Sequence, residues 1–223
     1  MSKIKTMYFC TAMIEIKNLF ISFEKPVIEN FSMIVPEGEK IAIVGSSGIG
    51  KSTILNSLMG FVRIQSGEIK INNLSLNASN IRLIRKQICW LPQELSMQFE
   101  MVEDLFYYPF SFAQNKPAMP PKSIVEEVLN KLKLDSDIMS KKTDEISGGQ
   151  KQRVALASQL LLNKPILLMD EPSSALDNDS QKAVLDFIRS LSNVTLVSAT
   201  HNYKWIDCMD RVVHLPELNL ISR

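Results

Sequence analysis

The stretch Gly45-Ser46-Ser47-Gly48-Ile49-Gly50-Lys51-Ser52 has the pattern Gly-x-x-x-x-Gly-Lys-Ser, and it decides the fold. It directly follows the apolar run Ile41–Val44, a predicted strand, and it opens a predicted helix that stops near Gly60. Glycines in such a loop let successive backbone N–H groups, together with the helix N-terminus, converge on phosphate oxygens. The pattern therefore predicts a P-loop, in which Lys51 reaches the β- and γ-phosphates of a nucleotide and Ser52 ligates Mg²⁺.

A second predicted strand ends in two carboxylates. The apolar run Ile166–Met169 is followed directly by Asp170 and Glu171. A strand buried on both faces of a parallel sheet delivers its C-terminal residues to the crevice in which ligands bind. Asp170 there suits the coordination shell of Mg²⁺, and Glu171 is placed to polarise an attacking water. Two adjacent acids can also form an ordinary solvated turn, but beside a P-loop they are the expected companions.

The order of the patterns predicts an α/β fold, because short apolar runs alternate with runs of helical spacing. The remaining predicted strands are Met13–Lys17, Phe31–Val35, Gly67–Ile71, Ile88–Leu91 and Val194–Ser198. Two later helices are predicted: one begins at Gly148, and the other spans Asp179–Ser192. Between about residues 94 and 163 the pattern favours a helical insert, with Ser123 and Glu126 as a capping box. We expect residues 1–12 to be a poorly ordered leader and residues 13–223 to form one domain.

Composition and charge exclude several classes of protein. The chain has 25 Lys and Arg against 24 Asp and Glu, so no nucleic acid is expected as a partner. Its cysteines, Cys10, Cys89 and Cys208, lack the spacing of a disulfide framework or a zinc site and fit a reducing compartment. No apolar run approaches the roughly 18 to 20 residues that span a bilayer.

The stretch Ile146-Ser147-Gly148-Gly149-Gln150-Lys151-Gln152-Arg153 closely resembles the signature motif of the ATP-binding cassette (ABC) ATPases. Leucine is usual at the first position, so Ile146 is a mild departure that leaves the Ser-Gly-Gly-Gln core intact. In physical terms, Ser147 is an N-cap and the two glycines expose backbone donors at the start of a helix. The resemblance extends from Met13 to about Leu215.

Four further motifs carry the resemblance, and they stand in the family's order. Leu91-Pro92-Gln93 resembles the Q-loop, Ser174–Asp177 resembles the D-loop, and His201 matches the switch histidine. Phe23 stands where an aromatic residue typically stacks on adenine, although tyrosine is more usual there. Taken alone, a glutamine after a proline is an ordinary loop residue, and a lone histidine is more often a surface or core side chain.

The resemblance implies a P-loop NTPase core with a mostly parallel sheet, an antiparallel β subdomain and an inserted α-helical subdomain. It implies ATP and Mg²⁺ as cofactors and an ATPase reaction that yields ADP and phosphate. The catalytic residues it implies are Lys51, Gln93, Glu171 and His201, and the metal ligands are Ser52, Gln93 and Asp170. The nucleotide contacts it implies are Phe23, Gly45, Ser46, Ser47, Gly48, Ile49, Gly50, Lys51, Ser52, Thr53, Ser147, Gly148, Gly149, Gln150 and Asp177.

The resemblance also implies partners. Two cassettes are expected to pair head to tail, most simply as a homodimer, with the P-loop of one facing the Ser-Gly-Gly-Gln segment of the other. The pair would work as the ATP-hydrolysing subunit of an ABC transporter, peripheral on the cytoplasmic face of the membrane and attached to a separate transmembrane permease. The alternative is a soluble, non-transport ABC ATPase, for example one of cluster assembly or DNA repair.

Five aromatic residues lie close together soon after the Q-loop. They are Phe106, Tyr107, Tyr108, Phe110 and Phe112. Part of this set could line a groove that receives a coupling helix of the permease, or the set could form the core of the helical segment. The sequence leaves both interpretations open.

Overall fold

A computed structural model describes residues 12–216 of the chain. The leader expected at residues 1–12 therefore lies outside the described residues, except for Ala12, which is the first residue of a strand. Residues 217–223, at the end of the expected domain, lie outside them as well.

Strands and helices alternate along the described residues. The strands are β1 (Ala12–Ser22), β2 (Pro26–Pro36), β3 (Lys40–Val44), β4 (Ser66–Ile71), β5 (Leu74–Ser75), β6 (Ile88–Leu91), β7 (Ile166–Asp170), β8 (Thr195–Ala199) and β9 (Arg211–His214). The α-helices are α1 (Lys51–Leu58), α2 (Ile81–Arg85), α3 (Val102–Ser111), α4 (Lys122–Lys131), α5 (Gly148–Leu161), α6 (Asn178–Ser190) and α7 (Tyr203–Ile206). One-turn 3-10 helices lie at Lys116–Ala118, Ile138–Ser140 and Thr143–Glu145.

Five parallel strands form the central sheet in the order β6-β7-β8-β3-β9. Strand β7 is buried on both faces: Ile166 and Leu168 pack into one hydrophobic cluster, and Leu167 and Met169 pack into another. Side chains alternate between the two faces of a strand, so such a strand requires a continuous apolar run. The first cluster includes α1 and the antiparallel sheet, and the second includes α3, α4 and α5.

A separate antiparallel sheet has the order β2-β1-β4-β5, so both kinds of predicted sheet are present. Strands β1 and β2 each have 11 residues and extend well beyond the predicted Met13–Lys17 and Phe31–Val35. The pairing register of β1 with β2 shifts between Ile16 and Leu19, where Asn18 has φ 47°. This irregularity breaks the alternation of apolar side chains, and for that reason the sequence pattern did not reveal the full strand.

Helices α3, α4 and α5 all fall between β6 and β7 in the chain, and α5 packs against both of the others. Phe106 and Phe110 of α3 are fully buried in their shared core. The Ser158 hydroxyl of α5 donates a hydrogen bond to the Phe106 carbonyl. Within residues 12–216, no helix combines the length and the apolar character needed to cross a membrane.

The predicted start of α4 is wrong. The sequence pattern places a capping box at Ser123 and Glu126, but α4 begins at Lys122 and has no side-chain hydrogen bond at its N-cap, Pro121. The Pro121 carbonyl accepts a hydrogen bond from the Ile124 N–H at 3.0 Å. Helix α4 therefore starts two residues earlier than predicted, and Ser123 lies inside the helix rather than before it.

Gly67 of β4 makes a close contact with β1 that fixes the antiparallel sheet. Its φ is +95°, and a Cβ there would lie 2.6 Å from the backbone oxygens of Lys17 and Asn18. We expect Gly67→Ala to lower the free energy of unfolding by about 3 kcal/mol, because the backbone is left-handed and the neighbouring strand would have to move. Urea denaturation measures this value.

The neighbouring substitution Ser66→Ala is the control, because Ser66 is exposed on the same strand. It should change the free energy of unfolding by less than about 0.5 kcal/mol. Equal stability of the Gly67→Ala protein and the unchanged chain would contradict the role given to this contact.

Candidate nucleotide-binding site

The predicted site residues lie where four neighbouring parallel strands end. Gln93 follows β6, Asp170 is the last residue of β7, Glu171 comes next, His201 follows β8, and the P-loop follows β3. These strands are adjacent in the sheet, in the order β6-β7-β8-β3. Because carboxyl ends of parallel strands meet at one edge, residues that are distant in the sequence converge there, in the place where open α/β sheets bind ligands.

A cavity of about 620 Å³ lies at this edge of the sheet. Its lining combines the P-loop with side chains from the other strand ends, namely Gly45, Ser46, Ser47, Gly48, Gly50, Lys51, Ser52, Thr53, Gln93, Glu171, Ser174 and His201. The structure therefore brings together all four predicted catalytic side chains in one cavity.

The P-loop presents both backbone donors and an ammonium group. Helix α1 begins at Lys51, and its N-cap, Gly50, has no side chain that could accept from the N–H groups of the first turn. Those groups and the positive end of the helix dipole favour an anion. Lys51 is buried, and its Nζ donates to the backbone carbonyls of Gly45 at 3.0 Å and Ser46 at 3.1 Å. The loop itself thus holds the ammonium.

Asp170 has the character of a cation ligand. The pKa of its carboxyl group is raised, chiefly because the group is buried, although a hydrogen bond with the Ser52 side chain acts in the opposite direction. Among residues 12–216 its buried Oδ1 has no hydrogen-bond partner. A buried carboxylate oxygen without a partner is costly, and a hard divalent cation would satisfy it. The Asp170 carboxylate and the Ser52 hydroxyl therefore fit Mg²⁺, the ion implied by the resemblance.

The carboxylate of Glu171 is held at both oxygens. Its backbone has φ 43°, a left-handed conformation that residues other than glycine rarely adopt. The Glu171 N–H donates to the Ala199 carbonyl at 2.8 Å, which fixes this turn to β8. The Thr200 hydroxyl donates to Oε2 at 3.3 Å, and Nδ1 of His201 lies 3.0 Å from Oε1. Two residues that follow β8 therefore orient this side chain.

The Ser-Gly-Gly-Gln segment stands at the start of α5 and does not line the cavity of its own chain. The predicted N-cap is present: the Ser147 hydroxyl accepts from the Gln150 N–H at 3.2 Å, and the Gln150 side-chain oxygen accepts from the Ser147 N–H at 2.8 Å. Ser147 and Gly148 are exposed. Gly149 packs so closely on the next loop that a Cβ would lie 2.5 Å from the Ala175 oxygen.

Three other predicted nucleotide contacts also lie outside the cavity lining. The Asp177 carboxylate caps α6, where Oδ1 accepts from the N–H groups of Asp179 at 2.9 Å and Ser180 at 2.8 Å. The backbone hydrogen bond from Ser180 is the main cause of the lowered pKa of Asp177. Phe23 is 64% exposed, and Ile49 packs within the loop itself. Phe23 and Asp177 do not join the P-loop donors in the cavity lining, and Ile49 belongs to the P-loop although its side chain does not line the cavity.

Sequence reasoning missed two residues of the site. Ser174 lines the cavity and lies three positions after Glu171, inside the stretch that resembles the D-loop. Thr200 binds the Glu171 carboxylate and directly precedes His201. The available signals were membership of the D-loop stretch for Ser174 and position next to His201 for Thr200.

Comparison with known proteins identifies the family. The model of the family described as ABC transporter matches residues 28–174. The energy-coupling factor transporter ATP-binding protein EcfA1 of Staphylococcus aureus is 34% identical over 200 residues, which cover 86% of this chain and 73% of that protein. EcfA1 of Mycoplasma pneumoniae is 34% identical over 205 residues, which cover 90% of this chain and 74% of that protein.

A solved structure gives the same result for the fold. The dimeric post-hydrolysis state of the ATP-binding cassette MJ0796, bound to ADP and Pi, has a TM-score of 0.82 and 27% identity, and the match covers 92% of this chain and 95% of that chain. The predicted P-loop NTPase fold is confirmed. The relatives favour a transporter subunit over the soluble, non-transport ATPase. The chain belongs to the ABC transporter family, as an ATP-binding subunit that hydrolyses ATP.

Proposed function

We propose that two copies of this chain clasp two ATP molecules head to tail and drive a separate membrane permease from its cytoplasmic side. The observation that carries this proposal is the convergence of the P-loop, Gln93, Glu171 and His201 in one cavity. The exposed donors at Ser147 stand on another element of the same chain, where a second copy can use them. The dimeric state of the MJ0796 cassette supports the pairing.

The phosphates would be held from two sides. The P-loop N–H groups and Lys51 bind the β- and γ-phosphates of an ATP molecule. The amides of Gly148 and Gly149, together with the Ser147 hydroxyl, contact the γ-phosphate bound by the other copy. Phe23 would stack on the adenine ring, and its exposed side chain is available for this contact.

The proposed cation site is built on the buried Oδ1 of Asp170, which has no partner among residues 12–216, and on the hydroxyl group of Ser52. Ser52, Asp170 and Gln93 would hold Mg²⁺, which when bound neutralises charge on the phosphate oxygens. Gln93 lines the cavity and precedes α3 in the chain. It would therefore transmit the change from bound ATP to bound ADP to the helical segment.

Hydrolysis needs a base beside the γ-phosphate. Water attacks the γ-phosphorus, the bond to the leaving oxygen of ADP breaks, and Glu171 accepts the proton of the water. Thr200 and His201 orient the Glu171 carboxylate, and His201 is also exposed to the cavity, where it can contact the γ-phosphate.

We expect Glu171→Gln to retain ATP binding while turnover falls about 10²- to 10⁴-fold, the usual contribution of a general base. Phosphate release at saturating ATP measures turnover, and calorimetry measures the affinity. Glu126→Gln, which makes the same change on the exposed side of α4, should leave both values unchanged. Near-normal turnover of the Glu171→Gln protein would refute the role of Glu171 as the base.

We assign permease docking to a second cavity. Its volume is about 620 Å³, and its lining includes the aromatic side chains Phe61, Trp90, Phe99, Tyr108 and Phe112, which define what we call the aromatic groove. Phe61 is 56% exposed and Phe112 is 47% exposed. Apolar exposure of this kind marks an interaction surface.

Some of the aromatic residues that follow the Q-loop lie in the core of the helical segment, and others line the groove. Phe106 and Phe110 are fully buried, so they belong to the core of the helical segment. Tyr108 and Phe112 line the aromatic groove instead, and their rings contact each other with centroids 5.2 Å apart. A further contact, 5.1 Å between centroids, joins Tyr108 to Phe99. We therefore assign permease docking to the groove-lining members only.

We expect Phe112→Ser to weaken association with the permease about tenfold or more, because buried aromatic anchors dominate interface energies. Co-purification with the multi-span membrane protein that accompanies the unchanged chain measures this effect. Ile124→Ser is the control, because Ile124 is an exposed apolar residue of α4 outside the groove. Equal loss in both variants, or no loss in either, would contradict docking in the groove.

A further inference from the structure

The aromatic groove contains two cations and no anion. Arg85 and Lys164 are the charged residues among its lining, and no aspartate or glutamate lines it. Within residues 12–216 neither cation forms an ion pair with a carboxylate. An otherwise apolar surface with two uncompensated positive charges favours a ligand with a negative charge.

Arg85 is fixed in place but retains free donors. Its Nε donates to the Met59 carbonyl at 2.9 Å, and its guanidinium lies 4.8 Å from the centroid of the Phe61 ring. A guanidinium has five N–H groups in a planar fork, and only the one on Nε has an acceptor among the described residues. The four terminal N–H groups match the geometry of a carboxylate.

Lys164 is fixed beside Arg85. Its Nζ donates to the Ile88 carbonyl at 3.1 Å and to the carbonyl of Arg85 itself at 3.5 Å. An ammonium has three N–H groups, so one donor remains. Lys164 therefore contacts the backbone of Arg85, and both cations line the groove, in which Phe99, Tyr108 and Phe112 supply aromatic surface.

Burial makes the uncompensated charge costly. Desolvation lowers the pKa of Lys164, which means that its surroundings disfavour the charged form. A carboxylate that entered the groove would offset this cost, whereas a neutral segment would bury both cations without compensation.

We propose that the permease segment that enters the aromatic groove carries an aspartate or glutamate that pairs with Lys164 and Arg85, beside apolar side chains that cover Trp90 and Phe112. This inference rests on the proposed docking of a permease in the groove. It specifies the partner chemically: an amphipathic segment with an acidic side chain within two helical turns of its apolar anchors.

The test uses the full chain in native membranes, with a photo-crosslinking amino acid in place of Phe112 and mass spectrometry of the linked peptide. The linked membrane-protein segment should contain an acidic residue near the crosslink. Lys164→Gln and Arg85→Gln should each weaken association with that protein about tenfold, the scale of a partly buried charge pair. Lys182→Gln removes an exposed lysine of α6 outside the groove, so it should have no effect.

Charge exchange provides the decisive arm. Lys164→Glu should abolish association, and changing the acidic residue of the linked segment to lysine should restore it in that background. The ATPase activity of the isolated chain should stay within about twofold in every variant, because Lys164 and Arg85 lie outside the nucleotide cavity. This activity and the thermal melting curve separate lost docking from lost folding.

The outcomes distinguish this inference from the proposed docking. No crosslink to any membrane protein would overturn both. A linked segment without an acidic residue, or unchanged association of both glutamine variants, would overturn the inference alone. The inference also fails if the crosslinks reach only lipid. It fails as well if protein-free vesicles of phosphatidylglycerol and phosphatidylcholine bind the unchanged chain but do not bind the Lys164→Gln variant. In both cases the acidic ligand would be a lipid headgroup.

Discussion

The side chains of the candidate site depend on one constraint, which is that four parallel strands end at the same edge of the sheet. Strand β7 is packed on both faces, so its last residue, Asp170, and the following Glu171 have fixed positions relative to the P-loop after β3. The left-handed backbone at Glu171 is disfavoured on its own, but the hydrogen bonds to Ala199 and from Thr200 offset that strain. The sheet thereby positions the proposed base, the proposed cation ligand and the P-loop relative to one another.

The other proposed phosphate donors, in the Ser147 segment, stand at the start of α5. Helix α5 starts against the 173–177 loop, because Gly149 packs on the Ala175 carbonyl. Arg153 adds hydrogen bonds to the carbonyls of Gly149, Leu132 and Lys133, which join α5 to the end of α4. These contacts attach the start of α5 to neighbouring elements, and the Ser147 segment does not line the cavity of its own chain. A site divided in this way is completed most simply by a second copy.

The sequence predicted the catalytic end of the sheet well, because each element there depends on local patterns. The P-loop follows from glycine spacing, and β7 follows from a continuous apolar run that ends in acids. Strand β1 was underestimated because the irregularity near Asn18 breaks its alternation. The cations of the groove could not be predicted, because Lys164 and Arg85 are 79 positions apart and only the folded sheet brings them together. Whether Phe112 was core or surface likewise depended on helix packing.

Sedimentation velocity of the Glu171→Gln protein, with and without ATP and Mg²⁺, tests the central claim most directly. If two copies clasp nucleotide between the P-loop and the Ser147 segment, ATP should convert the 25.2 kDa chain into a dimer, and ADP should leave it monomeric. A chain that binds ATP at saturation and still sediments as a monomer would contradict the account.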